Sequence, residues 1–352
     1  MAIGFMPTSS RIPSSLKHMK RRYSVILGNL GNTCDRFLPT GYKDALPKHE
    51  MIRQAASIPG IEGVELVGSW DIIEANAQEI GGWLKESGLA CVSIIPDLFS
   101  QKRWGLGSLS AKDPAIRDQA IEESRTAARI AESIGCPLVN FWLGQDGYDY
   151  PLTADFGRQR PVLAENIRRI AAEFPKLRFS LEYKPKEPRN FSFHARAADT
   201  LLMVQDIGLP NVGVCIDVGH AFMAGENAAE SAFLLQHHGE RLFHMHFNDN
   251  YRSWDDDLIV GSIHVTEYVE LLYWLTELRY DGWFSMDLYP YRENGIRAVA
   301  ESVAFLRDLD ALLTEDRRHE LRCLIRGGDA TESTRWMRQL LLGSHARNAI
   351  TR

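Results

Sequence analysis

Eight short apolar runs punctuate the chain, and longer stretches of helical period separate them. The runs are Tyr23–Leu27, Gly63–Val67, Ala90–Ile95, Leu138–Leu143, Arg178–Glu182, Val212–Asp217, Leu242–Phe247 and Trp283–Leu288. Each is rich in β-branched or aromatic residues and too short for a helix, so each reads as a buried strand. Between them, Pro114–Ile134 sets Ile116, Ala120, Ala127, Ala128, Ile130, Ala131 and Ile134 at helical spacing, and Pro161–Phe174 and His264–Leu278 read the same way. Strand–helix alternation sustained from Tyr23 to Leu288 demands parallel pairing with crossover helices. Eight such units are what an α/β barrel, (β/α)8, needs to close. An open doubly wound sheet would use fewer strands and mark its first turn with GxGxxG; Gly28-Asn29-Leu30-Gly31 does not fit that spacing.

The expected organisation is a barrel over residues 23–314, with an arm before it (1–22) and a helical extension after it (315–352). The arm carries Arg11, Lys17, Lys20, Arg21 and Arg22 among Ser and Pro, without the apolar core of a secretion signal. In the extension, a Gly327-Gly328 break precedes an apolar stripe through Trp336, Met337, Leu340, Leu341 and Leu342. Such a stripe needs cover, from its own barrel or from a neighbouring subunit, and a homo-oligomer is therefore expected.

Composition narrows the function classes. Hydrophobic residues make up 45% of the chain, which excludes wholesale disorder. Lys and Arg total 40 against 46 Asp and Glu, a net charge of −6, so nothing is in excess to neutralise a phosphate backbone and nucleic acid is not an expected partner. Five scattered cysteines without a CxxC pair argue against a disulfide framework or a thiolate zinc site and suit a reducing, cytoplasmic setting. No apolar run approaches the roughly 18 residues that cross a bilayer, so no membrane role is expected.

In a barrel of this kind chemistry sits at the C-terminal ends of the strands. The fifth run ends in Glu182-Tyr183-Lys184-Pro185-Lys186-Glu187-Pro188 and the sixth in Asp217-Val218-Gly219-His220. The seventh ends in His244-Met245-His246-Phe247-Asn248-Asp249-Asn250, followed by Trp254-Asp255-Asp256-Asp257, and the eighth in Asp287. A single acidic residue at a strand end is ordinarily a helix cap or a loop charge. Four successive strands each ending in a ligand-capable residue are a different matter, because adjacent strands bring Glu182, Asp217, His246 and Asp287 to one volume. Three carboxylates with one imidazole form a hard, mostly oxygen site for Mn²⁺, Mg²⁺ or Co²⁺. Without a cation, like charges in a low-dielectric pocket cannot all ionise. His220, Asp255 and Asp257 are candidates for a second ion, with Asp255 and Asp257 on one side if their segment is extended. Asp249 and Asp256 are assigned supporting or loop roles. Gln145–Tyr150, polar and aromatic, reads as a pocket lip.

These motifs, Glu182–Pro188, Asp217–His220, His246–Asp249 and Asp255–Ile263, resemble the xylose isomerase-like superfamily of TIM barrels. The tract His246–Ile263 is most similar to L-rhamnose isomerases, and Glu182–Pro188 is also similar to xylose isomerase. The likeness runs from the fifth strand to the eighth and is weaker over residues 1–130. It implies a first ion on Glu182, Asp217, His246 and Asp287 and a second on His220, Asp255 and Asp257. It also implies a sugar substrate whose carbonyl end meets Lys184, with Trp142 and Trp104 as apolar walls and His220 within reach. Glu182, Lys184, Asp257 and Asp287 are the expected catalytic groups.

The leading expectation is aldose–ketose isomerisation with one or two divalent ions. No histidine on the first two strands matches the one with which xylose isomerases help to open the ring, and His49 falls in a predicted helix. Xylose is therefore not the expected substrate. Two alternatives share the site. One is ketose 3-epimerisation, for which the resemblance implies Glu rather than Asp at position 287. The other is elimination from 3-oxo-glycosides, including C-glycosides, which in some relatives involves a small partner subunit. A sugar-binding barrel without catalysis would leave the ligand set unused. An endonuclease is opposed by the acidic balance and too few histidines.

Overall fold

The computed structural model describes residues 20–343; most of the arm expected over residues 1–22 and the end of the extension lie outside the described residues. Eight parallel strands form a closed barrel: Arg22–Ile26, Ile61–Val67, Ala90–Ile95, Leu138–Trp142, Arg178–Glu182, Val212–Asp217, Leu242–Phe247 and Trp283–Met286. They follow one another around the ring in chain order, and closure is made by the first strand on the last, Tyr23 opposite Phe284 and Val25 opposite Met286. Parallel neighbours need crossover helices, and helices follow every strand. The fold is therefore the expected TIM barrel, and the compact unit that contains it runs Arg21–Leu312.

Local chemistry explains the element limits. Pro114–Ile134 begins where the Asp113 carboxylate accepts from Ala115 N at 2.9 Å, with Pro at the first helical position, and stops at Gly135, whose φ of 73° a side chain would resist. The helix expected from Pro161 starts earlier, spanning Phe156–Glu173, because Asp155 caps it by accepting from Arg158 N. Pro161 then sits in its second turn, where its missing N–H forfeits one intrahelical hydrogen bond.

The mouth of the barrel is divided by chemistry. Ile26, Val67 and Ile95, at the ends of the first three strands, cluster with Phe99 into an apolar half. The ionisable half comes from strands five to eight.

Leu313 onward belongs to a second unit, in which helices Glu315–Gly327 and Ala330–Leu342 are separated by Gly328 at φ 67° and capped anew by Asp329. Trp336 donates its indole N–H to Glu320 Oε2 at 2.8 Å, tying the two helices together. Leu340 is buried while Leu342 is 67% exposed. No described helix is long and apolar enough to cross a membrane.

Candidate metal centre

Glu182, Asp217, His246 and Asp287 each present a ligand atom, and these atoms all lie within 4.8 Å of one another. Neighbouring strands achieve this by register: Asp217 pairs with His246, and Asp287 follows a strand whose Ser285 pairs with His246. The carboxylates are held in place by polar neighbours. Asn140 Nδ2 donates to Glu182 Oε2 at 2.8 Å, and Asn248 Nδ2 donates to Asp217 Oδ2 at 2.9 Å. The His220 backbone N–H donates to Asp217 Oδ1 at 2.8 Å, so Asp217 also caps the short helix Val218–Met223. Gly219 has a specific reason to be glycine, because a Cβ there would collide with Asn248 Oδ1, the amide that orients Asp217.

His246 has the environment of a candidate cation ligand. Its Nε2 faces Glu65 Oε2 at 3.3 Å, which places the hydrogen of a neutral ring on that nitrogen and leaves Nδ1 its lone pair. Nδ1 lies 3.2 Å from Asp287 Oδ2 and 3.4 Å from Glu182 Oε2, is fully buried, and is aligned for a hydrogen bond with neither. An unpaired acceptor among acceptors is the environment of a metal ligand.

The electrostatics agree. Burial raises Asp217 to about 7; His220 opposes the shift, while the charges of Asp255, Asp287 and Glu182 add to it. Burial, together with Asp255 and Asp287, pushes Asp257 well above the usual carboxylate range, and burial raises Asp287 despite its contact with His246. These carboxylates repel one another, and a divalent cation relieves that repulsion.

A second cluster adjoins the first. Asp217, His220 and Asp255 meet within the same 4.8 Å limit. His220 Nδ1 lies 3.0 Å from the Tyr183 carbonyl, which can only accept, and Nε2 lies 3.0 Å from Asp255 Oδ2. Burial disfavours its charged form, yet Asp217 and Asp255 raise it to about 9. The segment is not extended at Asp257, which takes a left-handed φ of 48°, and the three residues that meet here are Asp217, His220 and Asp255. Asp257 still borders the cleft. Lys184 is almost fully buried, with Nζ 2.8 Å from Asp255 Oδ2 and 2.9 Å from Glu187 Oε2.

Glu182, Lys184, His220, Asp255, Asp257 and Asp287 line a cleft of about 150 Å³, together with Ile26, Val67, Trp70, Ile95, Phe99, Trp142 and Tyr289. Trp142 stands on its wall, 4.4 Å from Phe99 in an edge-on contact, and Phe99 meets Trp70 at 5.5 Å. Trp104 does not reach the cleft. It is fully buried and donates its indole N–H to the Asp97 carbonyl at 2.9 Å, so its assignment as a substrate wall is corrected to a core residue. Trp70 and Phe99 supply the aromatic wall instead. His49 is in the helix Lys48–Ser57, edge-on to Trp83.

Glu65 on the second strand went unread in the sequence, although a lone acid inside Gly63-Val64-Glu65-Leu66-Val67 announces a buried charge in need of partners. Its partners are His244 Nε2 at 2.8 Å, His246 Nε2 and the Ser93 hydroxyl. Asp249 receives His264 Nδ1 and the Ile263 and His264 backbone N–H groups, which tie down its loop. In the Gln145–Tyr150 lip, Asp146 is buried and accepts from Ser108 and Ser110, and Gly147-Tyr148 pairs antiparallel with Phe191-Ser192.

A barrel with an oxygen-rich cluster of candidate ligands at the ends of its last four strands defines a class, and comparison with known proteins shows the family within it. The chain belongs to the family described as xylose isomerase-like TIM barrels, whose model matches residues 52–309. It is 26% identical over 208 residues to the xylose isomerase of Dinoroseobacter shibae, covering 57% of this chain and 48% of that protein. To the xylose isomerase of Thermus thermophilus it is 27% identical over 226 residues, 62% of this chain and 58% of that protein. The chain thus spans about half the length of the curated relatives it matches. Among solved structures, a D-tagatose 3-epimerase-like protein superposes with a TM-score of 0.63 at 20% identity, covering 84% of this chain and 99% of that one, a likeness of fold.

Proposed function

We propose that this protein is a divalent-cation-dependent sugar isomerase that interconverts an aldose and a ketose. The observation that carries the reading is the meeting of Glu182, Asp217, His246 and Asp287 around the unpaired Nδ1 of His246. This donor set suits Mn²⁺, Mg²⁺ or Co²⁺, which when bound supplies the Lewis acidity that polarises a sugar carbonyl.

The remaining work falls to the chain's own residues. Lys184 brings an ammonium held in its charged form into the cleft, where it can donate to the substrate carbonyl oxygen. Burial opposes that charge, but Asp255 and Glu187 outweigh it. In isomerisation one hydrogen moves from C2 to C1 and the O2 hydroxyl proton passes to O1, so the balance needs a relay but no outside reagent. Asp257, on the cleft wall, is the group assigned to that relay. Trp142, Phe99 and Trp70 offer an apolar face to the sugar carbons and keep water from them. The substrate class is a small sugar or sugar derivative. The similarity to proteins named xylose isomerase supports an isomerase of this kind.

One observation favours a second reading, ketose 3-epimerisation. The Lys184 ammonium stands 2.8 Å from Asp255, where a second ion would sit, and so favours a one-ion site. Glu182 and Asp287 would then exchange a proton at C3. A sugar panel in D₂O separates the readings. Interconversion of aldose and ketose supports isomerisation, deuterium gained at C3 supports epimerisation, and release of an aglycone from a 3-oxo-glycoside points to elimination. Full turnover of every substrate in excess chelator would overturn the cation-dependent reading altogether.

A further inference from the structure

Glu65 is fully buried, sits on the second strand outside the ligand set, and is the common acceptor for two histidines of the seventh strand. His244 and His246 alternate along that strand, so both rings face the barrel interior, with centroids 5.0 Å apart and planes nearly perpendicular. Each turns Nε2 toward a different oxygen of the same carboxylate, Oε1 for His244 and Oε2 for His246. A carboxylate oxygen accepts, so each neutral histidine facing it places its hydrogen on Nε2. Ser93 adds a hydroxyl donor to Oε2 and pins the carboxylate from the third strand.

We infer that Glu65 is a positioning residue for the cation: it fixes the tautomer and ring orientation of His246 so that the Nδ1 lone pair faces Glu182 and Asp287. The inference rests on the reading of those residues as a cation site. Its geometric basis is independent, because Glu65 contacts none of the three carboxylate ligands. A neutral imidazole free to choose would have reason to put its hydrogen on Nδ1, where two carboxylates wait to accept it, and would then no longer be a ligand. The acid on the far side of the ring removes that choice. Carboxylate–histidine–metal arrangements of this kind typically contribute 10–100-fold in metal affinity.

The division of labour between the two histidines gives a test that general disruption of the core cannot imitate. A carboxamide has one acceptor oxygen where the carboxylate has two. In Glu65→Gln, His244 and His246 compete for that oxygen, and His244 already makes the closer contact. Removing His244 frees the oxygen for His246. Mn²⁺ affinity of the chelator-stripped full chain, measured by calorimetric titration, should fall about 10–100-fold in Glu65→Gln. It should change less than about twofold in His244→Phe and recover most of the loss in the double variant. Co²⁺ absorption should report the loss and return of the nitrogen ligand in parallel.

Unchanged affinity in Glu65→Gln, or a double variant weaker than Glu65→Gln alone, overturns the positioning role. A wild-type chain that binds neither Mn²⁺ nor Co²⁺ overturns the cation-site reading itself. The two failures are distinguishable because only the second appears without any substitution.

Discussion

Sequence offers Trp142 and, less strongly, Trp104 as apolar walls, yet Trp104 is a core residue and Trp142 a cleft wall. Trp104→Ala should cost about 3–5 kcal/mol of stability by opening a cavity, and a denaturant titration will read it. Trp142→Ala should spare most of that stability and raise KM instead, because it removes an apolar face the substrate touches. His194 makes a pH argument at the same scale. It is buried, its Nδ1 has no partner, and burial with nearby Arg160 depresses it from the usual 6.5 to about 4, against the pull of Glu182. The unfolded chain then binds a proton the folded chain refuses, so the contribution is intact above pH 6.5 and lost as pH falls from 6.5 toward 4. The loss amounts to about 3 kcal/mol. His194→Asn should flatten the pH dependence of unfolding over that window; an unchanged slope would refute the assignment.

Single residues also show where sequence reading stopped. Glu182, Asp217, His246 and Asp287 were legible because each closes an apolar run at the end where barrels do chemistry. Glu65 was not, because it lies inside its run and its partners are about 180 positions away in the chain. Asp257 borders the cleft, but its side relative to Asp255 depended on a condition the sequence does not settle. Alternation implies a common side only in extended backbone, and Asp257 is not extended.

At the scale of elements, strand limits were readable because buried parallel strands are continuous apolar runs. Helix starts were less so. Asp155, rather than Pro161, begins the fourth long crossover segment, since a side-chain cap outranks proline as a start signal when the cap lies upstream. Removing a cap tests that logic: Asp113→Ala should lower stability by about 1 kcal/mol without altering Mn²⁺ affinity. The turn after the sixth strand behaves differently. Gly219→Ala would displace Asn248 and with it the Asp217 carboxylate, so Mn²⁺ affinity, read by calorimetric titration, should drop at least tenfold.

For the whole molecule, the candidate ligands come from four consecutive strands that include the strand closing the ring. A cation bound there ties those strands together and binds only the folded chain. Mn²⁺ at about 100 times its Kd should therefore add about 2.7 kcal/mol of stability, and chelator should reverse the accompanying rise in Tm. A Tm indifferent to both would speak against the site. The same closure gathers five carboxylates, Glu182, Asp217, Asp255, Asp257 and Asp287, at one end of the barrel. Lys184 and His220 offset that charge in part, and a divalent ion would offset most of the rest.

The order of apolar runs and the polar residues that end them was enough to set the barrel, its polarity and the face bearing the candidate ligands, because burial and strand adjacency are local and periodic properties. Which aromatic ring borders the cleft, which acid turns away from the second cluster, and which buried carboxylate orients His246 were decided only when the ring closed. Those contacts join side chains far apart in sequence, and their distances depend on strand register and on where each ring packs, neither of which a linear pattern encodes.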